Sequence, residues 1–544
     1  MYEVGHDILR RGHASGGDKI ARARLRVIHT TFVILFVVFI GRTLMLGLHG
    51  ARTERMGNGA AAWVATRADI VDRNGEILAK NTISGNIILR PPQVRDADAA
   101  AVLIHNVIPE KTISDALADI NSGKKYMVVK KLADDSQIQE IKAANIPGIS
   151  VEATEWRRYP KRRLFSHLVG FVGSDMHGQE GMELIADKYL MQNKDPLVLS
   201  VDSRIQAVVY SAMANAMDKY HAKAAMGMLM NARTGEILAM VDLPDYDPEN
   251  KDSDPVSNRL FHPMRAVYEM GSIFKIFNTA MAIENGLFDK KYFVDAPFKV
   301  LDRLGRVAAT IHDIDSLKKT TVKQPYMAAP DIMLNSCNVG SAQISQDFPD
   351  GTQAEFFGRI HMDQSLALDF GTISAPLMPE KWGPVERATV SFGHGISVTP
   401  VHVLLAVNAM TNGGIYIWPT IYKRGIGAVA GERVVSNELS ANLRDIMFKI
   451  ATETSGKKAQ IAGINIGGKT ATAEKRKGGV VSKTKNLTAF VGVFPIEAPQ
   501  YTMLVILDEP EGTAETYGLR TAAWNAVPTA GIILDSVLPV LFNN

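Results

Sequence analysis

The 544-residue chain has one cysteine, Cys337, so it can form no internal disulfide framework and no Cys-based zinc or iron–sulfur site. None of its 13 histidines falls in an H-E-x-x-H pattern, which removes the zincin-type metal centre. An excess of one charge sign is missing too. Sixty Lys and Arg against 57 Asp and Glu leave +3, too little for a chain built around a nucleic-acid backbone. The composition is 46% apolar and 22% charged, which fits neither a disordered chain nor a multi-span membrane protein. No internal repeat and no low-complexity tract is visible. What remains is a folded protein with room for two to four domains, whose function must sit in local motifs.

There is one long apolar run. The first 26 residues are polar and carry Arg10, Arg11, Lys19, Arg22, Arg24 and Arg26 against Glu3, Asp7 and Asp18. Val27 to Leu48 follows, and at ~1.5 Å per residue it is long enough to cross a bilayer. The basic flank would hold the N-terminus in the cytoplasm and send the rest outward. A cleaved signal peptide is the alternative, because the strictly apolar stretch Phe32 to Ile40 is short and Arg42 interrupts it. The long polar lead and the ability of Arg42 to snorkel favour an uncleaved anchor. In both cases the body of the protein is expected outside the cytoplasm, where ATP is absent.

The expected organisation is a tail (1–26), an anchor (27–48), a linker (49–62), a first module (63–192) and a larger second one (193–544). Asn74-Gly75 between apolar runs predicts a hairpin, residues 97–145 read as helical, and the segment from Gly148 to Pro160 reads as a strand. In the second module we expect a helix over Asp202–Tyr220 and a hairpin turning at Asn231–Gly235. Strands are expected at Thr488–Phe494 and Thr502–Leu507, with a closing helix over about Thr521–Leu541. Strands at both ends with helices between them imply one sheet assembled from distant segments beside a helical cluster, a mixed α/β (α+β) fold.

Ser272 and Lys275 stand three apart in Gly271-Ser-Ile-Phe-Lys275, so on a helix they share a face and the amine can reach the hydroxyl. A serine hydroxyl is a weak nucleophile until a base takes its proton. The S-x-x-K pattern is feeble alone, since Ser122/Lys125, Ser316/Lys319, Ser455/Lys458 and Ser482/Lys485 repeat it. Context separates Ser272. Ile273, Phe274, Ile276, Phe277, Ala280, Met281 and Ile283 surround its helix on nearly every side, so the helix is buried, and desolvation lowers the pKa of a lysine. A snorkelling or ion-paired Lys275 remains the bland alternative. Two further motifs follow in order: Ser336-Cys337-Asn338, and Lys469-Thr470-Ala471-Thr472 after two glycines. The three together form a signature of active-site serine acyl transfer.

Gly463 to Thr470 also fits the P-loop pattern G-x-x-x-x-G-K-T. The residues before it are polar, those after it are charged and broken by Gly478-Gly479, and the domain faces outward, so an ATPase is disfavoured. Cys337 reads as packing, with no histidine placed to activate it. The basic clusters Arg157-Arg158, Lys161 to Arg163, Lys318-Lys319 and Lys457-Lys458 read as solvated faces.

Many short segments then agree in order. Asp72–Gly75, Arg157–Pro160, Ser166–Gly173, Gly181–Leu184, Asn231–Met240, Pro244–Pro248, Ser391–Pro400 and Leu507–Gly512 join the three motifs. On these the sequence resembles the class B penicillin-binding proteins, and among them the division-specific peptidoglycan transpeptidases. The resemblance implies a penicillin-binding, serine β-lactamase-like transpeptidase domain (193–544) on a non-catalytic pedestal of the dimerisation type (63–192), with a single N-terminal membrane helix.

It further implies that Ser272 attacks the bond between two terminal D-alanines of a stem peptide with Lys275 as base. Ser336 would relay a proton to the departing D-alanine. Asn338 would hold Lys275 and the substrate amide. Lys469, Thr470 and Thr472 would clamp the substrate carboxylate, and the backbone N–H groups of Ser272 and Thr472 would form the oxyanion hole. It implies no metal and no organic cofactor. The implied partners are nascent lipid-linked peptidoglycan strands, β-lactams as covalent inhibitors, a SEDS-type glycosyltransferase and small division proteins in the membrane. Ala471, Met270 and Ala68 depart from the family pattern. A silent β-lactam sensor, a carboxypeptidase or β-lactamase, and an elongation-type transpeptidase are the competing readings.

Overall fold

The computed structural model describes residues 29–31, 33, 35–37, 40 and 67–542, apart from 315, 316, 426–428, 478 and 479. The described residues between 29 and 40 are helical and exposed. No helix among the described residues is long and apolar enough to cross a membrane. The expected tail and linker, with much of the expected anchor, lie outside the described residues.

The first turn forms as its residues require. Gly75 takes φ +87°, and Asp72 Oδ1 accepts the N–H groups of Asn74 and Glu76. The chain thus reverses from β1 (Ile70–Val71) into β2 (Ile77–Leu89). Residues 97–145 are not helical throughout. They hold α1 (Ala97–Val107), α2 (Ile113–Ile120), β3 (Met127–Ala133) and α3 (Asp135–Ala144). The helices are marked by capping boxes at Thr112/Asp115 and Asp134/Gln137. The strand between them carries Lys130-Lys131, good helix formers, and becomes a strand by pairing with β2. β4 (Ile149–Arg158) runs antiparallel along the other side of β2.

A buried ion network ties this region together. Arg67 Nε donates to Glu183 Oε2 at 2.6 Å and Arg157 Nε to Glu183 Oε1 at 2.7 Å. Arg67 also reaches Asp187 at 2.6 Å. The reading of Arg157-Arg158 as a solvated doublet therefore fails for Arg157, which is 2% exposed. Arg162 and Arg163 instead pair with Asp247, Asp245 and Asp254. β5 (Leu197–Val198), past the break expected near 192, pairs parallel with β1.

Asp202 caps α4 (Ser203–Lys219), and the hairpin β6 (Ala224–Asn231) and β7 (Ile237–Leu243) follows. A run of helices comes next, among them α5 (Phe274–Glu284), α6 (Ala329–Asn335), α7 (Asn338–Gln346), α8 (Pro400–Thr411) and α9 (Asn437–Glu453). The chain ends in β8 (Gly467–Lys477), β9 (Val480–Phe494), β10 (Tyr501–Asp508) and α10 (Ala526–Phe542). The strands form one antiparallel sheet in the order β8-β9-β10-β6-β7, the expected union of distant segments. Alternation divides its core. Leu229, Phe490 and Val505 pack with α4 and α10, while Met228, Val491 and Leu504 pack with the helical cluster that includes Phe277 and Leu405. The closing helix starts at Ala526 rather than Thr521, because Ala522–Trp524 forms a 3-10 turn first.

Glu183 is fully buried between two guanidinium groups. Glu183→Ala leaves both without that carboxylate and is expected to destabilise the protein by about 3–5 kcal/mol. Thermal or urea denaturation of the purified chain measures it.

Candidate active site

Ser272 sits in the 3-10 turn Gly271–Ile273, at the entrance of α5. The apolar run of α5 buries every residue from Phe274 to Ala282, and Gly286, at φ +68°, ends the helix where the sequence suggests. The turn holding Ser272 lies against Ser391–Gly395. The Gly271 N–H donates to Gly393 O at 3.3 Å, and a Cβ built on Gly393 would lie 2.2 Å from Gly271 O. Both residues have positive φ, +48° and +82°, so this contact requires glycine at Gly393.

The three motifs converge. Lys275 Nζ lies 2.8 Å from Ser272 Oγ and donates to Ser336 O at 3.0 Å and Asn338 Oδ1 at 2.6 Å. Ser336 Oγ donates to Ser272 Oγ at 2.9 Å and accepts from Lys469 Nζ at 3.1 Å. Ser336 is brought there by the break between α6 and α7. It takes the left-handed conformation, φ 60° and ψ 37°, and Asn338 opens α7. Lys469 comes from β8, the edge strand of the sheet.

Burial pushes the Lys275 amine down to about 8 from the ordinary lysine value, while Asp313 and Cys337 oppose that fall. Burial also pushes Lys469 well below the lysine range, and the nearby Lys275 adds to it. The Phe392 ring covers Lys275, its centroid 5.9 Å from Nζ. A neutral Lys275 has two N–H bonds, enough for Asn338 Oδ1 and Ser336 O, and a lone pair left for the Ser272 proton. The arrangement can therefore generate an alkoxide-like Ser272 and pass protons through Ser336 toward Lys469.

Thr470 and Thr472 lie farther along β8. The Thr470 hydroxyl shares a 2.8 Å hydrogen bond with Ser455, and Thr472 Oγ1 accepts the Ala522 N–H at 3.1 Å, which leaves its own proton to donate. A Cβ built on Gly271 would lie 3.5 Å from Thr472 O, so the backbones of the first and third motifs abut. Ala471 takes ordinary strand backbone, paired with Ala489 and buried. Alanine therefore stands there without backbone strain, and Met270 and Ala68 are likewise buried. A cavity of about 240 Å³, lined by Tyr268, Glu269, Ser397, Ala473 and Glu474 among others, continues along β8. A larger one, about 770 Å³, lies between His167–Ile185 and Arg259–Thr372 and holds none of the motif residues.

The decoys separate cleanly. Gly467 to Lys477 is a strand continued by another strand, with no helix after the glycines to hold a phosphate. Ser122 and Lys125 are both exposed, as are Lys458 and Lys485. Ser316 lies outside the described residues. Cys337 is buried, and burial raises its thiol far above the cysteine range, so it is no nucleophile.

The chain matches the penicillin binding protein transpeptidase domain over residues 225–528 and the penicillin-binding protein dimerisation domain over 62–204. The chain belongs to the class B penicillin-binding proteins. A probable peptidoglycan D,D-transpeptidase FtsI of Caulobacter vibrioides is 30% identical over 546 residues, spanning 96% of this chain and 90% of that protein. Stage V sporulation protein D of Bacillus subtilis is 31% identical, spanning 87% and 78%. The FtsI of Escherichia coli is 27% identical, spanning 87% and 83%. A solved peptidoglycan synthetase from Bifidobacterium adolescentis shares the fold, with a TM-score of 0.62 at 20% identity over 88% of this chain and 96% of that one.

Three residues of this penicillin-binding protein's site escape sequence reasoning. Phe392 is carried in a segment read only as family likeness, and Ser455 reads as a decoy yet bonds Thr470. Asp313, which binds the second motif, has no sequence signal, because its contacts cross 24 or more residues of chain. Titration of isotopically labelled lysines by NMR should show an amine losing its proton near pH 8, with that of Lys469 depressed beside it and the others in the ordinary lysine range, and Lys275→Arg should abolish the resonance near pH 8.

Proposed function

We propose that this chain is a septal peptidoglycan D,D-transpeptidase that cross-links stem peptides through an acyl-enzyme on Ser272. The observation that carries the reading is Ser272 Oγ within hydrogen-bond reach of both Lys275 Nζ and Ser336 Oγ. Lys275 removes the Ser272 proton as Oγ attacks the carbonyl between two terminal D-alanines. The oxyanion receives the backbone N–H groups of Ser272 and Thr472, donors worth ~3–4 kcal/mol each in such sites. Ser336 passes a proton to the nitrogen of the departing D-alanine, with Lys469 behind it. Asn338 orients Lys275 and the substrate amide, and Lys469, Thr470 and Thr472 hold the terminal carboxylate. An amine of a neighbouring strand then attacks the ester and frees Ser272. A β-lactam enters the same path and stops at the ester.

Relatives named for peptidoglycan transpeptidation support the substrate class, and two of them carry the division name FtsI. The same likeness supports a single-pass inner-membrane protein with a cytoplasmic N-terminus and a periplasmic catalytic domain. It would work beside a SEDS-type glycosyltransferase and other division proteins in the membrane. The alternative is an elongation-type enzyme.

A fluorescent penicillin should leave one stable adduct, mapped by mass to Ser272 and lost in Ser272→Ala. Rapid release of hydrolysed drug would favour a β-lactamase or carboxypeptidase, and no adduct a silent sensor. Depletion in the native bacterium should give filaments if the role is division; rounded cells would assign it to elongation.

A further inference from the structure

Asp313 belongs to none of the three motifs, and we propose that it is the positioning residue that holds the Ser336–Asn338 turn against Lys275. The inference rests on the acyl-transfer reading above. Asp313 follows the hairpin Phe298–Leu301/Val307–Ile311, and its carboxylate reaches three consecutive residues. Oδ2 accepts the Cys337 thiol at 2.9 Å. Oδ1 accepts the N–H of Asn338 and, at 3.4 Å, that of Val339.

These N–H groups open α7, where a helix has no backbone acceptors of its own. The residue at the cap offers only sulfur: the Gly340 N–H donates to Cys337 Sγ at 3.2 Å, and thioether or thiol sulfur accepts weakly. Asp313 supplies from a distant loop the oxygen that Ser, Thr, Asn or Asp would give at the cap itself, and the helix dipole favours its charge there.

The preceding residue shows why the hold matters. Ser336 is left-handed, a conformation that non-glycine residues keep only where their surroundings over-determine it. In it, Ser336 turns both its carbonyl and its hydroxyl toward Lys275. Asn338, two residues on, gives Lys275 its 2.6 Å acceptor. Asp313 grips the segment between and after them.

Its charge has a second effect. The titratable groups facing Lys275 are Lys469 from β8, and Cys337 and Asp313 beyond the turn. The carboxylate favours the ammonium form of Lys275 and so limits how far burial lowers its pKa. Removing that charge lets the amine stay neutral to lower pH.

The test is the rate of acylation by a fluorescent penicillin between pH 6 and 10 in wild type, Asp313→Asn and Asp313→Glu, with melting curves for each. Asp313→Asn should acylate about 10- to 100-fold more slowly at high pH, the cost of a charge-assisted, part-buried hydrogen bond. The loss should fall on the acylation step and not on the preceding binding of drug, and the acid limb of its pH profile should move to lower pH. Asp313→Glu, which keeps the charge but misplaces it, should be slowed while its acid limb stays near the wild-type position. A folded Asp313→Asn with wild-type rate and profile overturns the proposal. So does a slow variant whose acid limb stays put or moves to higher pH, since simple structural damage would do that. Wild-type protein that forms no Ser272 adduct sinks the acyl-transfer reading itself, before any variant is compared.

Discussion

An amine kept out of water but fully hydrogen-bonded sets the terms for the rest of the structure. Lys275 is 1% exposed, and its direct partners are neutral oxygens: Ser272 Oγ, the Ser336 carbonyl and hydroxyl, and Asn338 Oδ1. A charged ammonium is expensive in such a place. A second buried amine, Lys469, is one hydroxyl away, and two adjacent cations in a dry site oppose each other. The site therefore holds fewer protons than two ordinary lysines would, and Lys275, Ser272, Ser336 and Lys469 share them along one chain of contacts. Base strength at Ser272 is thus a property of the fold and not of any single side chain.

That chain of contacts explains the architecture around it. Its members come from residues 272–275, 336–338 and 469, which local structure cannot bring together. The sheet does so by pairing β6 and β7, from the start of the module, with β8 to β10 from its end. This leaves β8 at the edge with the first motif against it. The helical cluster supplies the buried α5 and the α6–α7 break in the space between. Edge strands are normally a hazard for aggregation. Here the edge strand is the one that brings Lys469, Thr470 and Thr472 to the first motif.

Much of this was legible in the residues, for identifiable reasons. The burial of α5 follows from apolar side chains around its whole circumference, and the Gly286 stop and the Asn74-Gly75 turn are local chemistry. The strands β6, β7 and β10, and the Thr488–Phe494 half of β9, announce themselves as short apolar runs between turn residues, whereas the polar Val480–Leu487 half of β9 does not. β3 did not, because Lys130-Lys131 favour a helix and only pairing with β2 decides the matter. Arg157 read as solvent-facing, since nothing near it in sequence points to Glu183. The site divides in the same way. Ser272, Lys275, Ser336, Asn338 and Lys469 are found through motif order, but Asp313, Phe392 and Ser455 act across the chain through contacts that no spacing encodes.

The two edges of the sheet bear different loads. At the β7 edge, Ser200 Oγ donates to Ile237 O at 2.7 Å and the Asp202 N–H to Leu238 O at 2.9 Å. Beyond β7, Arg162 and Arg163 clamp the acidic segment Asp245–Asp254. Residues of the matched dimerisation domain such as Ile70, Leu78, Tyr159 and Phe165 share one continuous apolar core with Met270, Phe274 and Phe277 around Ser272. The matched dimerisation domain (62–204) is therefore packed on the β7 side of the sheet and, through that core, against the helix that carries Lys275. Close-packed interiors transmit small displacements because they have few voids to absorb them. Displacement on the β7 side is therefore coupled to α5 through packing, while β8 is flanked by β9 along one side and by the Gly271–Ser272 turn along the other.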